Sequence, residues 1–162
     1  MNYQAVIMNH APVYWDQNER NEVVLSPSCE EFKQIAFEVQ KALGSTKNIQ
    51  SISRVQNVHD LGQCLIREQL LLCANPEKTY YRVRRFIKVP VAFLDNALEN
   101  NLDHRRCGLP ELVFSAHIPN ISSDEVLLAV QTITRNHNNT QIHPSNNLEY
   151  FIDYVIRFDT CM

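Results

Sequence analysis

A chain of 162 residues with 44% hydrophobic content suffices for one domain with a buried core, spanning 1–162, and is too short to expect two. The formal net charge of −3 and sequence pI near 6.0 exclude a global electrostatic drive toward nucleic acid or an acidic membrane, so such binding needs a local patch. No run approaches the ~20 apolar residues of a membrane span, no apolar leader opens the chain, and five cysteines (Cys29, Cys64, Cys73, Cys107, Cys161) lack zinc or redox-motif spacing, which predicts free thiols in a nuclear or cytoplasmic rather than secreted protein.

Val23-Val24-Leu25 is a short strand-like run. Ser26-Pro27-Ser28-Cys29-Glu30-Glu31 then has the grammar of a helix start: Pro27 suits a first helical position, and Ser28 with Glu31 makes a capping-box pattern. Phe32, Ile35, Ala36, Val39 and Leu43 recur at helical spacing, and Gly44 stands where a left-handed residue stops a helix. The pattern predicts an amphipathic helix of about four turns. Ile49, Ile52 and Val55 predict a strand over residues 49–55. A second helix is expected over residues 60–73, with Leu61, Leu65 and Leu72 on its apolar face and Asn75-Pro76 as its stop. Residues 80–89 are rich in aromatic and branched side chains and read as a strand, after which Pro90 opens a short helix carrying Val91, Leu94 and Leu98. Further strands are expected at 111–116, 126–134 and 150–158, broken by Asn136-His137-Asn138-Asn139 and His143-Pro144-Ser145-Asn146-Asn147. Helices early and strands late make an α+β domain.

Ile52-Ser53-Arg54-Val55-Gln56-Asn57 resembles the Ile-x-Arg-Val-Gln-Asn element of catalytic domains in the poly(ADP-ribose) polymerase (PARP) superfamily, especially the mono-ADP-ribosyltransferase branch that carries zinc fingers and a WWE domain elsewhere. Trp15, Val23-Val24-Leu25-Ser26 and Arg67-Glu68 occur in the order such domains use. Asn101-Leu102-Asp103-His104-Arg105-Arg106-Cys107-Gly108 is similar to the Asn-Phe-Asp-x-Arg-x-Cys-Gly stretch of the same branch. Asp153-Tyr154-Val155-Ile156-Arg157-Phe158 looks like its closing Glu-Tyr-Leu-Ile-Thr-Phe strand. The resemblance covers residues 15–158 and implies a shortened ADP-ribosyltransferase-like fold, with mixed or antiparallel sheets and flanking helices.

In active members a His-Gly-Thr motif holds the nicotinamide and ribose of NAD, a tyrosine stacks on nicotinamide, and a third position is glutamate or aliphatic. The corresponding positions here are Ile87, Val113 and Val155, and the chain has no His-Gly pair. Three aliphatic side chains can neither orient a ribose, stack on nicotinamide nor stabilise an oxocarbenium-like transition state. With only three glycines, Gly44, Gly62 and Gly108, a phosphate-cradling loop is also not expected. The resemblance thus implies a pseudoenzyme with no cofactor, its NAD binding lost, kept as a protein-interaction or scaffolding module. The alternatives are an NAD-dependent mono-ADP-ribosyltransferase with an unusual site, and a nucleic-acid-binding module.

The last of these rests on the basic, aromatic run from Tyr80 to Lys88. As a strand it places Tyr80, Arg82, Arg84 and Lys88 on one face with Phe86, and Arg85 on the other. The competing reading is a solvated face whose arginines pair with carboxylates. The six histidines (His10, His59, His104, His117, His137, His143) lack zinc-motif spacing. Cys107 is the candidate nucleophile, against the plainer reading of a structural thiol.

Overall fold

The computed structural model describes residues 2–16 and 22–159; Cys161 lies outside them. In chain order the elements are α1 (Tyr3–Met8), β1 (Glu22–Val24), α2 (Glu30–Leu43), β2 (Ile49–Val55), α3 (Val58–Ala74), β3 (Tyr81–Pro90), a 3-10 turn (Val91–Phe93) running into α4 (Leu94–Glu99), β4 (Phe114–Ser115), β5 (Glu125–Thr134), β6 (Gln141–Ile142) and β7 (Tyr150–Phe158). The fold is α+β: one seven-stranded sheet in the order β1-β2-β7-β5-β3-β4-β6, antiparallel at every pairing.

Helix α2 buries Ile35, Val39, Ala42 and Leu43 as its spacing predicts, and Gly44 closes it in the left-handed region at φ 64°, its N–H donating to the Gln40 carbonyl. Its start falls one residue later than the sequence suggests. Ser26 and Ser28 bond each other's hydroxyls at 2.9 Å and the Cys29 N–H returns to the Ser26 carbonyl at 3.0 Å. The serines thereby spend their capping capacity on a turn of their own, and the Cys29 thiol accepts from the Phe32 N–H instead. Helix α3 begins two residues earlier than expected because Asn57 caps it, accepting from the Asp60 N–H at 3.1 Å; it stops at Asn75, before Pro76.

The sheet separates two apolar layers. One face carries Ile52, Phe86, Leu127, Ala129, Tyr154 and Ile156 beneath α2. The other carries Val55, Ile87, Leu128, Val130, Ile152 and Val155 beneath α4 and the 102–107 turn. A third cluster joins Ile7 and Trp15 to Leu61 and Cys64 of α3, against Ile133 and Phe151. The strand expected over 111–116 shrinks to β4: Phe114 pairs Ile142 and Ser115 pairs Gln141, while Leu109 and Leu112 pack on the edge of the core. Pro90 ends β3 opposite Glu125 and is also the residue from which the short helix expected after it starts, as the 3-10 turn at Val91–Phe93 running into α4 with Leu94 and Leu98. Helix α1 and strand β6 had no counterpart in the sequence pattern.

Candidate functional site

The Arg54-Val55-Gln56-Asn57 element ends β2 and starts α3, and each polar member has a framework task. Arg54 donates from Nε and Nη2 to the two carboxylate oxygens of Glu31, at 2.8 and 2.7 Å, and from Nη1 to Gln56 Oε1 at 2.7 Å. This bidentate pair is buried, with side chains 11% and 5% exposed. The hydrogen bonds to Glu31 lift the guanidinium further above its ordinary value, against the cost of burial. Tyr154 on β7 donates its hydroxyl to the same Glu31 at 2.8 Å. Gln56 spans the Asp16 backbone, accepting from its N–H at 2.9 Å and donating to its carbonyl at 2.8 Å. Asn57 is the α3 cap.

The three positions where the resemblance places the catalytic groups do not form a cleft. Ile87 pairs across the sheet with Leu128, and Leu128 with Val155. At about 4.8 Å between strands, Ile87 and Val155 sit roughly 10 Å apart with Leu128 filling the gap. All three belong to one aliphatic cluster, with Phe114 and Tyr150 meeting edge to face at its rim, ring centroids 4.9 Å apart. Val113 stands outside that cluster; Phe114, one residue on, is the side chain β4 delivers to it.

The Asn101 to Gly108 segment forms the turn after α4. Asn101 and Leu102 both adopt positive φ, 44° and 57°, a strained backbone for non-glycine residues. Asn101 Nδ2 holds it there by donating to the Asn147 and Tyr150 carbonyls, both at 3.0 Å, and the Leu102 N–H donates to the Ala97 carbonyl at 2.9 Å. Asp103 collects the Arg105 N–H and guanidinium, which hold its carboxyl below the ordinary range. Gly108, at φ 65°, lies against Phe93, whose Cε2 would be 3.0 Å from an added Cβ. The Cys107 thiol is buried in the aliphatic cluster and pushed up by that burial, the opposite of an activated nucleophile. A cleft of about 510 Å³ opens over this turn, walled by Asp103, His104, Arg105, Glu111 and His143 and floored by Leu102 and Tyr150.

The basic run behaves as paired cations. On β3, Arg82 meets Glu68 of α3, Lys88 meets Glu125 of β5 at 3.6 Å, and Arg84 lies between Glu38 of α2 at 2.7 Å and Asp153 of β7 at 2.8 Å. Asp153 reaches Arg84 because β7 shifts register there: Ala129 pairs Tyr154 while Val130 pairs Ile152, leaving Asp153 as the extra residue. Burial pushes its carboxyl upward against the pull of Arg84 and of Gln131, which donates at 3.0 Å. Burial also works against the Arg84 charge, but the two carboxylates outweigh it and hold its pKa above the ordinary range. Arg85, on the opposite face, donates to the His137 and Asn139 carbonyls. Tyr80 precedes the strand and packs on the α3 cluster. No sequence pattern announced these carboxylate partners, which come from four separate elements.

Among the described residues no group of three or more His, Cys, Asp or Glu is placed to hold a metal ion, and Cys29, Cys64, Cys73 and Cys107 are free thiols. No helix among them is long and apolar enough to cross a membrane. The chain matches no family model and no curated protein.

Proposed function

We propose that this chain is a catalytically inactive ADP-ribosyltransferase-like domain that serves as a protein-interaction or scaffolding module. The observation that carries the reading is the buried apolar row Ile87, Leu128 and Val155. An ADP-ribosyl transfer needs a group to hold the ribose, a ring to stack on nicotinamide and fixed dipoles for the developing cation. The positions that the resemblance assigns to those tasks hold branched aliphatic side chains: Ile87 and Val155 flank Leu128 in one apolar cluster, and Val113 stands outside it.

The interaction half of the proposal is supported by an apolar groove of about 380 Å³ between α1 and α3, where Tyr3, Val6, Ile66 and Leu70 stand exposed. Contiguous apolar surface of this kind marks contact with another macromolecule. Nucleic-acid binding has less support, because Arg82, Arg84 and Lys88 each face a carboxylate. The free cysteines accord with a reducing nuclear or cytoplasmic setting.

The test is incubation of the purified protein with NAD, following nicotinamide release and labelling of the protein or of a lysate with ADP-ribose. The expected result is neither release nor label above a heat-denatured control. Either one, if dependent on folded protein, overturns the reading.

A further inference from the structure

One end of the sheet gathers basic groups that the sequence scatters. Arg135 follows β5, Tyr80 precedes β3, Gln141 and His143 flank Ile142 of β6, and Arg67 reaches over from α3; together with Glu149 they line a cleft of about 470 Å³. That volume lies within the range of small-molecule sites, roughly 300–1,000 Å³.

Arg135 is set apart from the other described arginines. Arg54, Arg67, Arg82, Arg84, Arg85, Arg105, Arg106 and Arg157 each donate to an acceptor in the protein, whereas Arg135, on the surface, has no hydrogen bond or ion pair. The single carboxylate in the cleft is already committed. Glu149 Oε1 accepts from Arg67 Nε and Nη2 at 3.2 and 2.9 Å, and its Oε2 accepts from the Ser145 N–H at 3.0 Å. Glu149 therefore fixes Arg67 in place while leaving the guanidinium's third nitrogen without an acceptor. Two arginines against one fully engaged glutamate make a locally positive cleft in a chain whose formal net charge is −3.

We propose that this cleft binds a phosphate monoester, clamped between Arg135 and the free edge of Arg67. Planar guanidinium forks match phosphate oxygens, and the further donors at hand, the amides of Asn139 and Gln141 and the His143 ring, exceed what the two oxygens of a carboxylate take up. The site is separate from the aliphatic row. Thr134, next to Arg135, pairs Tyr81, six residues along β3 from Ile87, or roughly 20 Å at the rise of a strand.

The experiment is a titration of ¹⁵N-labelled protein at constant ionic strength with inorganic phosphate, adenosine 5′-monophosphate and succinate in turn. Phosphate and the nucleotide are expected to shift amides of residues 134–143, succinate to bind more weakly, and Arg135→Ala to weaken phosphate at least about tenfold. Nucleotide binding tighter than phosphate identifies a nucleoside monophosphate; equal binding identifies the phosphate group itself as the recognised part. Arg135→Gln, which keeps polarity without the charge, must weaken binding to the same degree, and circular dichroism confirms the fold of both variants. Absence of a phosphate response, an unchanged response in the two variants, or succinate binding as tightly as phosphate overturns the proposal. NAD turnover does not bear on it, so the two readings fail independently.

Discussion

Asp60 is the buried acid whose contribution to stability is most directly measurable. It occupies the third position of α3, 8% exposed, with its backbone N–H on the Asn57 cap. Burial raises its carboxyl from the ordinary 3.8 to about 6, only partly offset by neighbouring His59. A shift of about two units corresponds to roughly 3 kcal/mol of destabilisation once the group is ionised. Its place in a helix first turn works the other way, but a carboxylate there is favoured by only about 0.3–1 kcal/mol. Burial wins, and Asp60→Asn is expected to stabilise the fold by about 2 kcal/mol near neutral pH. The sign with pH follows from the raised folded value. Below about pH 4 the acid is protonated in both states and the substitution changes little; as pH rises toward about 6 the unfolded state releases its proton first, native stability falls, and the variant pulls ahead. Urea denaturation of both proteins near pH 4 and pH 7.5 measures the difference. A variant no more stable than the parent near pH 7.5, or a gain that does not shrink on acidification, refutes the reasoning.

Arg54→Met leaves the Glu31 carboxylate, 4% exposed, with Tyr154 as its remaining hydrogen-bond donor here, and should cost about 3–5 kcal/mol; adding Glu31→Gln should recover part of the loss in a double-mutant cycle read by urea midpoints. Gly44 and Gly108 share a left-handed φ, 64° and 65°, but an added Cβ meets nothing within 4 Å at the first and Phe93 at 3.0 Å at the second. Gly44→Ala should therefore cost about 1 kcal/mol and Gly108→Ala clearly more, by thermal or urea melts. In native buffer an alkylating reagent should modify exposed Cys73 quickly and spare Cys64, which burial pushes up to about 12, and Cys107; mass spectrometry of the labelled peptides reads the order.

The parts of the fold legible in the sequence are those whose signal is local. The apolar period of α2, the Gly44 stop, the Asn75-Pro76 limit of α3 and the branched runs of β3, β5 and β7 all report on neighbours within a few residues. Where two local signals compete, the sequence misleads: Ser28 looks like a cap, yet it spends its hydroxyl on Ser26. The stretch at 111–116 looks like a strand because Leu112, Val113 and Phe114 are apolar, but only Phe114 and Ser115 find ladder partners. Helix α1 has six residues and β6 has two, too few for a period to declare itself. The candidate sites depend on distant pairing. Arg84 finds Asp153 and Glu38 only once β7 and α2 close on β3, and Arg135 is recognisable as unpartnered only when every other described arginine has been given its acceptor.

The polar framework and the aliphatic row also explain each other energetically. Glu31 and Glu38 stand seven residues apart on α2, on the face turned to the sheet, and Arg54 and Arg84 receive them. The Arg54–Glu31 pair is so shielded that losing one partner strands a charge, at a cost of several kcal/mol, whereas Arg84 is shared between Glu38 and the buried Asp153. Residues in that network have little freedom, which on the proposed reading is why Arg54, Gln56 and Asn57 still resemble the family's element. The opposite face carries no such constraint. A polar side chain between Leu128 and Phe114 without a ligand to satisfy it would cost about 1–3 kcal/mol as an unmade hydrogen bond, whereas a buried Ile or Val contributes about 1.5–3 kcal/mol. On the proposed reading, a domain relieved of NAD chemistry gains stability by filling its cleft with aliphatic side chains, and the buried Ile87 and Val155, on either side of β5, are what that exchange would leave behind.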